Sequence, residues 1–479
     1  MDYFSESLNE LDSFEQQKLD LSISKSRIDN LSPEQYNIYK KELEERSFSN
    51  NVFRFNLERF MGAPKITLTT AKFIEMLQKE ELIPSNPDQV TNFRVFCNSE
   101  VNGAIPDLIS RLSEIWYGLP YGDTSKIDWC ACAQGRIESM VDSENDKFGM
   151  YSSFEEKWLT VPCDLTNTKS ILAIKNKILK KWTDGVDLYT SDGGMDVSAN
   201  YNAQEDIVTK MVFGQILTGL LVLRKRGNMV TRQFTCFEKF SRHLIYLLKS
   251  TFDDVKLIKP QTSKSNNSEI YLVCKGYTPL PQNELDLLLS VMNVMKDFKT
   301  LTVDLAEHEC TGLYDSFAEK ISKRDPQVEL SLLYKMRRLV DGQIKELNRA
   351  FLLLGKRESN GDPTPEKEVV ARAWFDQFKL VPKRLLQAGK AHTYLSGRGN
   401  SYQKKEKFAG PFSGKYGQKN GNRPVKYSQP NTGGQVRKPA RNFASSTGAW
   451  GHGSNSLATV QQNGQAAEMV DNNFYLDCS

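Results

Sequence analysis

From about residue 90 to residue 277, short apolar runs alternate with longer amphipathic ones, and this alternation limits the fold more than any other feature of the chain. "FRVFCNSE" (93–100) has strand character and leads through Gly103 into "PDLISRLSEIW", a helix with Pro106 at its start. "KIDWCACA" (126–133) is a second short strand, and "SILAIKNKILKKW" (170–182) has helical apolar spacing. "VDLYTSD" (186–192) is a strand, "AQEDIVTKMVFGQILTGLLVLRKRG" (203–227) a long helix ending at Gly227, "NMVTRQF" (228–234) a strand and "EKFSRHLIYLLKSTF" (238–252) a helix. Strands separated by helices make a mostly parallel α/β sheet. The last two strands, "VKLIKP" and "EIYLVCKGY", are joined by "QTSKSNNS" (261–268), too short for a helical crossover, so they pair antiparallel.

A chain of 479 residues, 39% of them hydrophobic, can build a large core and more than one domain. The pattern divides it into a lead-in (1–59), the α/β region (60–280), a helical extension (281–392) and a tail (393–479). The extension contains "NELDLLLSVMNVMKDF" and "ELSLLYKMRRLVDGQIKELNRAFLLLG", which read as packed amphipathic helices, against the core or against a protein partner. The tail is rich in Gly, Asn, Gln, Lys and Arg and has too little apolar surface to fold alone. Net charge is +4, but it is unevenly spread: Asp2, Glu6, Glu10, Asp12, Glu15 and Asp20 crowd the start, while the region after Gly389 is basic.

The 8 cysteines are scattered, with a lone C-x-C at Cys130 and Cys132, and the 4 histidines lie far apart, so no metal site is expected. The first residues are acidic and lack an apolar core, and the longest apolar stretch, 213–223, is short of the roughly 20 residues of a membrane span. Reduced thiols, no membrane and a cytoplasmic setting follow as expectations.

In an open parallel sheet, ligands bind where the carboxyl ends of the strands meet the loops. Four polar clusters stand at such ends: Asn98 to Gly103, "CDLTN" (163–167), "SDGG" (191–194) and "NNSE", whose Glu269 opens the last strand. A single acid there is more often a helix cap or turn former. Several converging on one cleft make a site, and convergence is not visible in a sequence.

The run of "FRVFCNSEVNGAI", "YTSDGGMD", "NMVTRQFTCFEKF" and "KPQTSKSNNSEIYLVCKG" (259–276) resembles the FtsJ/RrmJ family of RNA ribose 2′-O-methyltransferases, closest to its cap-specific branch and relatives in large DNA viruses; the likeness covers roughly 60–277. The resemblance implies a Rossmann-like sheet with its last strand antiparallel, S-adenosylmethionine as methyl donor, a capped mRNA 5′ end as substrate, and a cytoplasmic or virion location. It also implies a Lys-Asp-Lys-Glu tetrad at the reacting centre. The acids of that tetrad match Asp192 and Glu269, and the glycines after Asp192 are expected to leave room for methionine and ribose. Asn98, Glu100, Gly103, Asp164 and Asp192 fall at the cofactor positions.

Three departures stand out. The second lysine of the tetrad falls on Arg232, which stays protonated and makes a poor general base. The helix of the first lysine matches "TTAKFI" (69–74), where the register gives Ile74 and the nearest lysine is Lys72; a two-residue shift on a helix turns a side chain to a different face. Either the register slips there or that lysine is absent. The cofactor loop reads "EVNGAI", keeping Gly103 and Ala104 but lacking the Pro and Phe of the family.

The tail interleaves Arg398, Lys404, Lys415 and Arg423 with Tyr402, Phe408 and Tyr416. Charges of this kind engage phosphates and aromatics stack on bases, so RNA is its expected partner. Two other readings share these features: a methyltransferase-derived RNA-binding module without turnover, and a 2′-O-methyltransferase acting on ribosomal or transfer RNA.

Overall fold

The computed structural model describes residues 14–45, 66–133, 146–197, 200–295 and 326–354, with single positions at 53–54, 57–58, 61, 373–374 and 377–378. The tail from 393 lies outside the described residues.

Among the described residues six strands form one sheet: β1 (Phe93–Asn98), β2 (Ile127–Ala131), β3 (Val186–Ser191), β4 (Leu223–Gln233), β5 (Phe252–Ile258) and β6 (Ile270–Tyr277), in the order β2-β1-β3-β4-β6-β5. The β1–β2, β1–β3 and β3–β4 pairs are parallel, while β6 runs antiparallel to both neighbours, and the short 261–268 connection requires this of the β5–β6 pair. This is the Rossmann-like arrangement expected from the sequence. Beyond β2 a single parallel bridge, Ala131 to Trp158, adds a further short rung to the sheet edge.

Helices cover both faces. On one face lie α3 (Leu68–Lys79) and α4 (Ala104–Tyr117), and on the other α5 (Thr168–Lys181), α6 (Gln204–Val222), α7 (Lys239–Thr251) and α8 (Gln282–Val294). The strands divide their side chains between these layers with a period of two. Val95 and Cys97 join the core with α3 and α4, and Phe96 joins the opposite one; Tyr271 and Val273 likewise part from Leu272 and Cys274.

The lead-in contributes α1 (Glu15–Ser26) and α2 (Pro33–Glu45), and the extension contributes α9 (Pro326–Leu353). Leu21 and Tyr39 pack on Val340, Leu347 and Ala350 of α9, so part of the apolar face of the extension is covered from within the chain by segments distant in sequence.

Two expectations are corrected. The long helix ends at Val222 rather than Gly227, and 223–227 already belong to β4. Gly185, at φ +88°, lets the loop before β3 press against the backbone of Val222 and Arg224, where a Cβ would collide. The cysteines are not all free: Cys132 and Cys163 form a disulfide with Cα atoms 6.4 Å apart, joining the loop after β2 to the loop before α5. Cys97, Cys130, Cys236 and Cys274 are buried thiols.

Candidate active site

The order β2-β1-β3 places the topological switch point between β1 and β3, where successive connections leave in opposite directions and open a crevice. Asn98 pairs with Ser191 in register, so the segments that follow, Ser99-Glu100 and Asp192-Gly193, come out side by side.

On the β1 side the chain turns sharply. Ser99 has φ +57° and Gly103 φ +77°, both left-handed. Glu100 then caps α4, its carboxylate accepting from the amides of Ala104 at 3.0 Å and Ile105 at 3.3 Å. Gly103 has no room for a Cβ, which would lie 2.8 Å from the Met150 side chain. Asn98 is 0% exposed, donates to the Tyr189 hydroxyl at 2.7 Å and accepts from the Ser99 amide at 2.9 Å. Its side chain therefore shapes the turn from inside and does not face the cleft as a direct ligand contact would. Burial, and then the charge of Asp192, push the Glu100 carboxyl up to about 8.

Asp164 comes from the far flank. Glu100 donates its amide to the Cys132 carbonyl at 2.9 Å, and Cys132 is bonded to Cys163, next to Asp164. The Asp164 carboxylate takes the amide and hydroxyl of Thr166 through Oδ1, at 2.9 and 2.7 Å, which shapes the entry to α5.

On the β3 side the acids and cations converge. Asp192 Oδ1 accepts from the Tyr271 hydroxyl at 2.9 Å and lies 3.4 Å from the Arg232 guanidinium; its Oδ2 accepts from Thr69 at 3.3 Å. Arg232 is 3.8 Å from Glu269 and donates through Nε to the Gly193 carbonyl at 2.9 Å. Lys72 meets Glu269 Oε1 at 2.6 Å, and Ser263 donates to that oxygen at 2.8 Å. Four elements thus supply one cluster: α3 gives Lys72, the end of β3 gives Asp192, β4 gives Arg232, and the start of β6 gives Glu269.

The electrostatics of the cluster are tightly balanced. Burial works to raise Glu269, but Lys72, Arg232 and Lys259 hold its carboxyl below the ordinary carboxylate range. Burial works against the Arg232 charge too, and Asp192, Tyr271 and Glu269 outweigh it, so the guanidinium stays protonated. Burial pushes the Lys259 ammonium down to about 7, with Lys72 adding to that and Glu269 opposing it. Its three protons have acceptors: the Asn267 carbonyl, the Asn267 side chain and the Glu269 carbonyl, at 2.8 to 2.9 Å.

The two glycines after Asp192 are packed closely by the protein's own side chains. A Cβ on Gly194 would collide with the Arg232 guanidinium, and one on Gly193 would lie 2.9 Å from Gln215 and 3.1 Å from Ser99. Their bareness makes room for the protein's own arginine and glutamine.

On α3 it is Lys72, not Ile74, that faces Glu269, while Ile74 is a core residue with 0% exposure. Tyr271, Ser263 and Lys259 are site neighbours that sequence reading did not single out. A period of two from Glu269 puts Tyr271 on the same face, which is the signal that could have found it. Among the described residues no group of His, Cys, Asp and Glu forms a metal cluster, and no helix is long and apolar enough to cross a membrane.

Comparison with known proteins bears out the resemblance. Residues 140–277 match the family model described as FtsJ-like methyltransferase. The chain is 31% identical over 271 residues to Probable methyltransferase EP424R of African swine fever virus, an alignment covering 53% of this chain and 61% of that protein. It is 42% identical over 92 residues to Cap-specific mRNA (nucleoside-2′-O-)-methyltransferase 2 of Drosophila melanogaster, covering 19% of this chain and 13% of that protein. Over 194 residues it is 30% identical to Cap-specific mRNA (nucleoside-2′-O-)-methyltransferase 1 of Danio rerio, covering 40% and 23%. The chain thus spans less than two thirds of the length of these relatives.

Proposed function

We propose, from the premise that residues 140–277 are FtsJ-like methyltransferase sequence, that this chain is a cap-directed mRNA ribose 2′-O-methyltransferase. The observation that carries the reading is the convergence of Lys72, Asp192, Arg232 and Glu269 at the carboxyl ends of the strands. The names of the relatives from Drosophila melanogaster and Danio rerio supply the substrate class, the ribose of a capped transcript.

The residues at the switch point fit S-adenosylmethionine. Asp192 emerges beside the Ser99-Glu100 turn, and its carboxylate there suits a cationic ligand. Asp164 engages its own turn through Oδ1, leaving Oδ2 for a donor on the ligand. When bound there, this cofactor supplies an electrophilic methyl group on a positively charged sulfur.

The chain's own groups do the rest. Arg232 keeps its proton and so holds the ribose oxygen and stabilises negative charge developing on it. Lys72, held against Glu269 at 2.6 Å, adds a second fixed positive charge beside that oxygen, and the hydroxyl proton leaves to water. Asp192 anchors Arg232 and Tyr271 and fixes the direction of the guanidinium. Most of the rate gain is then positioning in a dry site, where fixed charges act strongly.

The test is a matched pair of short capped RNAs, one carrying ribose and one 2′-deoxyribose at the first transcribed nucleotides. The expected result is methyl incorporation into the first and none into the second. Equal incorporation into both would place the methyl elsewhere and overturn the reading.

A further inference from the structure

Glu75 lies one turn along α3 from Lys72 and is 0% exposed. Its carboxylate reaches across to the loop between β5 and β6. It accepts from the amide of Gln261 at 2.7 Å, from the amide and hydroxyl of Thr262 at 2.9 and 2.6 Å, and from the Trp374 indole at 3.0 Å. The next residue of that loop is Ser263, whose hydroxyl donates at 2.8 Å to Glu269 Oε1, the same oxygen that meets Lys72 at 2.6 Å.

These contacts close a circuit. It runs from Lys72 down α3 to Glu75, across to Gln261 and Thr262, along the backbone to Ser263, over to Glu269 and back to Lys72. An ion pair alone leaves the separation of its partners loosely defined, because Coulomb attraction has no preferred direction. Hydrogen bonds from backbone amides to a buried carboxylate are directional, and roughly twice as strong as neutral ones. Glu75 therefore sets how far the helix of Lys72 stands from the loop that leads to Glu269. Trp374 seals the circuit from outside, packed edge-on to Phe53 with ring centres 5.1 Å apart.

We propose that Glu75 is a positioning residue for methyl transfer, acting by fixing the gap between Lys72 and Glu269. This rests on the proposed methyltransferase activity. The test uses the full chain with Glu75→Gln, which keeps the size but turns one acceptor into a donor facing donors. We expect kcat to fall about 10- to 100-fold through the misplaced centre. The KM values for capped RNA and S-adenosylmethionine should stay within about twofold, since neither binding surface is touched. Combined with Lys72→Met, Glu75→Gln should add no further loss, because both act on one centre. A crystal structure of the Glu75→Gln protein should show Lys72 and Glu269 beyond hydrogen-bond reach. Wild-type kcat, a loss that multiplies with that of Lys72→Met, or an unchanged Lys72–Glu269 separation would each overturn the proposal. If Glu75→Gln does not fold, Thr262→Val and Trp374→Phe each remove a single bond, with expected kcat losses of about 3- to 10-fold at constant KM; no loss in either would overturn it. Should the wild-type chain transfer no methyl group to any RNA, the functional reading fails, and the crystal structure of the variant still decides the role of Glu75.

Discussion

Lys72 and Glu269 form an ion pair at 2.6 Å in which each side chain is 9% exposed. The pair joins a helix near the start of the α/β region to the strand that ends it. A second cation, Arg232 at 3.8 Å, shares the same carboxylate. Glu269 is thereby kept ionised despite burial, and Lys72 is aimed at the space where Asp192 and Arg232 also point.

Lys72→Met should therefore remove turnover while leaving a folded protein. We expect a rate loss of about 10²- to 10³-fold, the usual worth of a preorganised charge at a reacting centre. The stability cost should be about 1–3 kcal/mol, because Arg232 and Ser263 still satisfy Glu269. Steady-state methyl transfer and denaturant unfolding of the variant check both figures. Turnover at the wild-type rate would remove Lys72 from the centre.

Arg232 occupies space that Gly194 leaves open, and it holds the Gly193 carbonyl and two carboxylates at once. Arg232→Lys keeps a charge but not the fork, and adds a group that can titrate. We expect Arg232→Lys to retain turnover with capped RNA, and Arg232→Ala to lose nearly all of it. If the site only pairs charges and does no chemistry, Arg232→Ala will change the unfolding free energy with no turnover to lose.

Glu100 gives the pH signature. Its carboxyl is raised from 4.5 to about 8, first by burial and then by Asp192, against the amide donors at the start of α4. A carboxyl raised on folding stabilises fully below its unfolded value, and that contribution is lost as pH rises through the folded value. Wild-type stability should thus decline between about pH 4.5 and 8 relative to Glu100→Gln, and the difference should level off above that. Denaturant midpoints of the two proteins across this window provide the check, and a difference that does not vary with pH would contradict it.

Much of this was legible in the sequence, and the failures have physical causes. All six strands follow from apolar runs and turn residues, and the antiparallel β5–β6 pair follows from the length of 261–268 alone. The boundary between α6 and β4 was missed because basic residues closed by a glycine, "RKRG" (224–227), after an apolar run read as the last turn and cap of a helix, whereas they are the exposed start of β4, entered at Val222 without a turn. Asp192, Arg232 and Glu269 were placed by motif, yet their convergence depends on β3, β4 and β6 being neighbours. Glu75 gave no signal, because its partners Gln261, Thr262 and Trp374 are remote in sequence. The Cys132–Cys163 bond was invisible for the same reason: scattered cysteines show no pairing until the loops are built.

The tail from 396 onward carries charge and aromatics without enough apolar surface for a core. Deleting it should weaken RNA binding and leave the melting temperature nearly unchanged. Its contribution should shrink as salt rises, because phosphate contacts release counterions. Equal RNA affinity of the truncated and full-length chains at low salt would refute the assignment.

The central claim is tested most directly by transfer of labelled methyl from S-adenosylmethionine to short capped and uncapped RNAs, using the wild-type chain and Asp192→Asn. Asp192→Asn keeps the shape beside Tyr271 and Thr69 but removes the charge that faces Arg232. The account predicts label on the ribose 2′-oxygen of the capped RNA with the wild-type chain, little on the uncapped RNA, and a loss of about 10²-fold or more in the variant. Cofactor binding by the wild-type chain with no label on either RNA, or equal transfer by the Asp192→Asn protein, would contradict it.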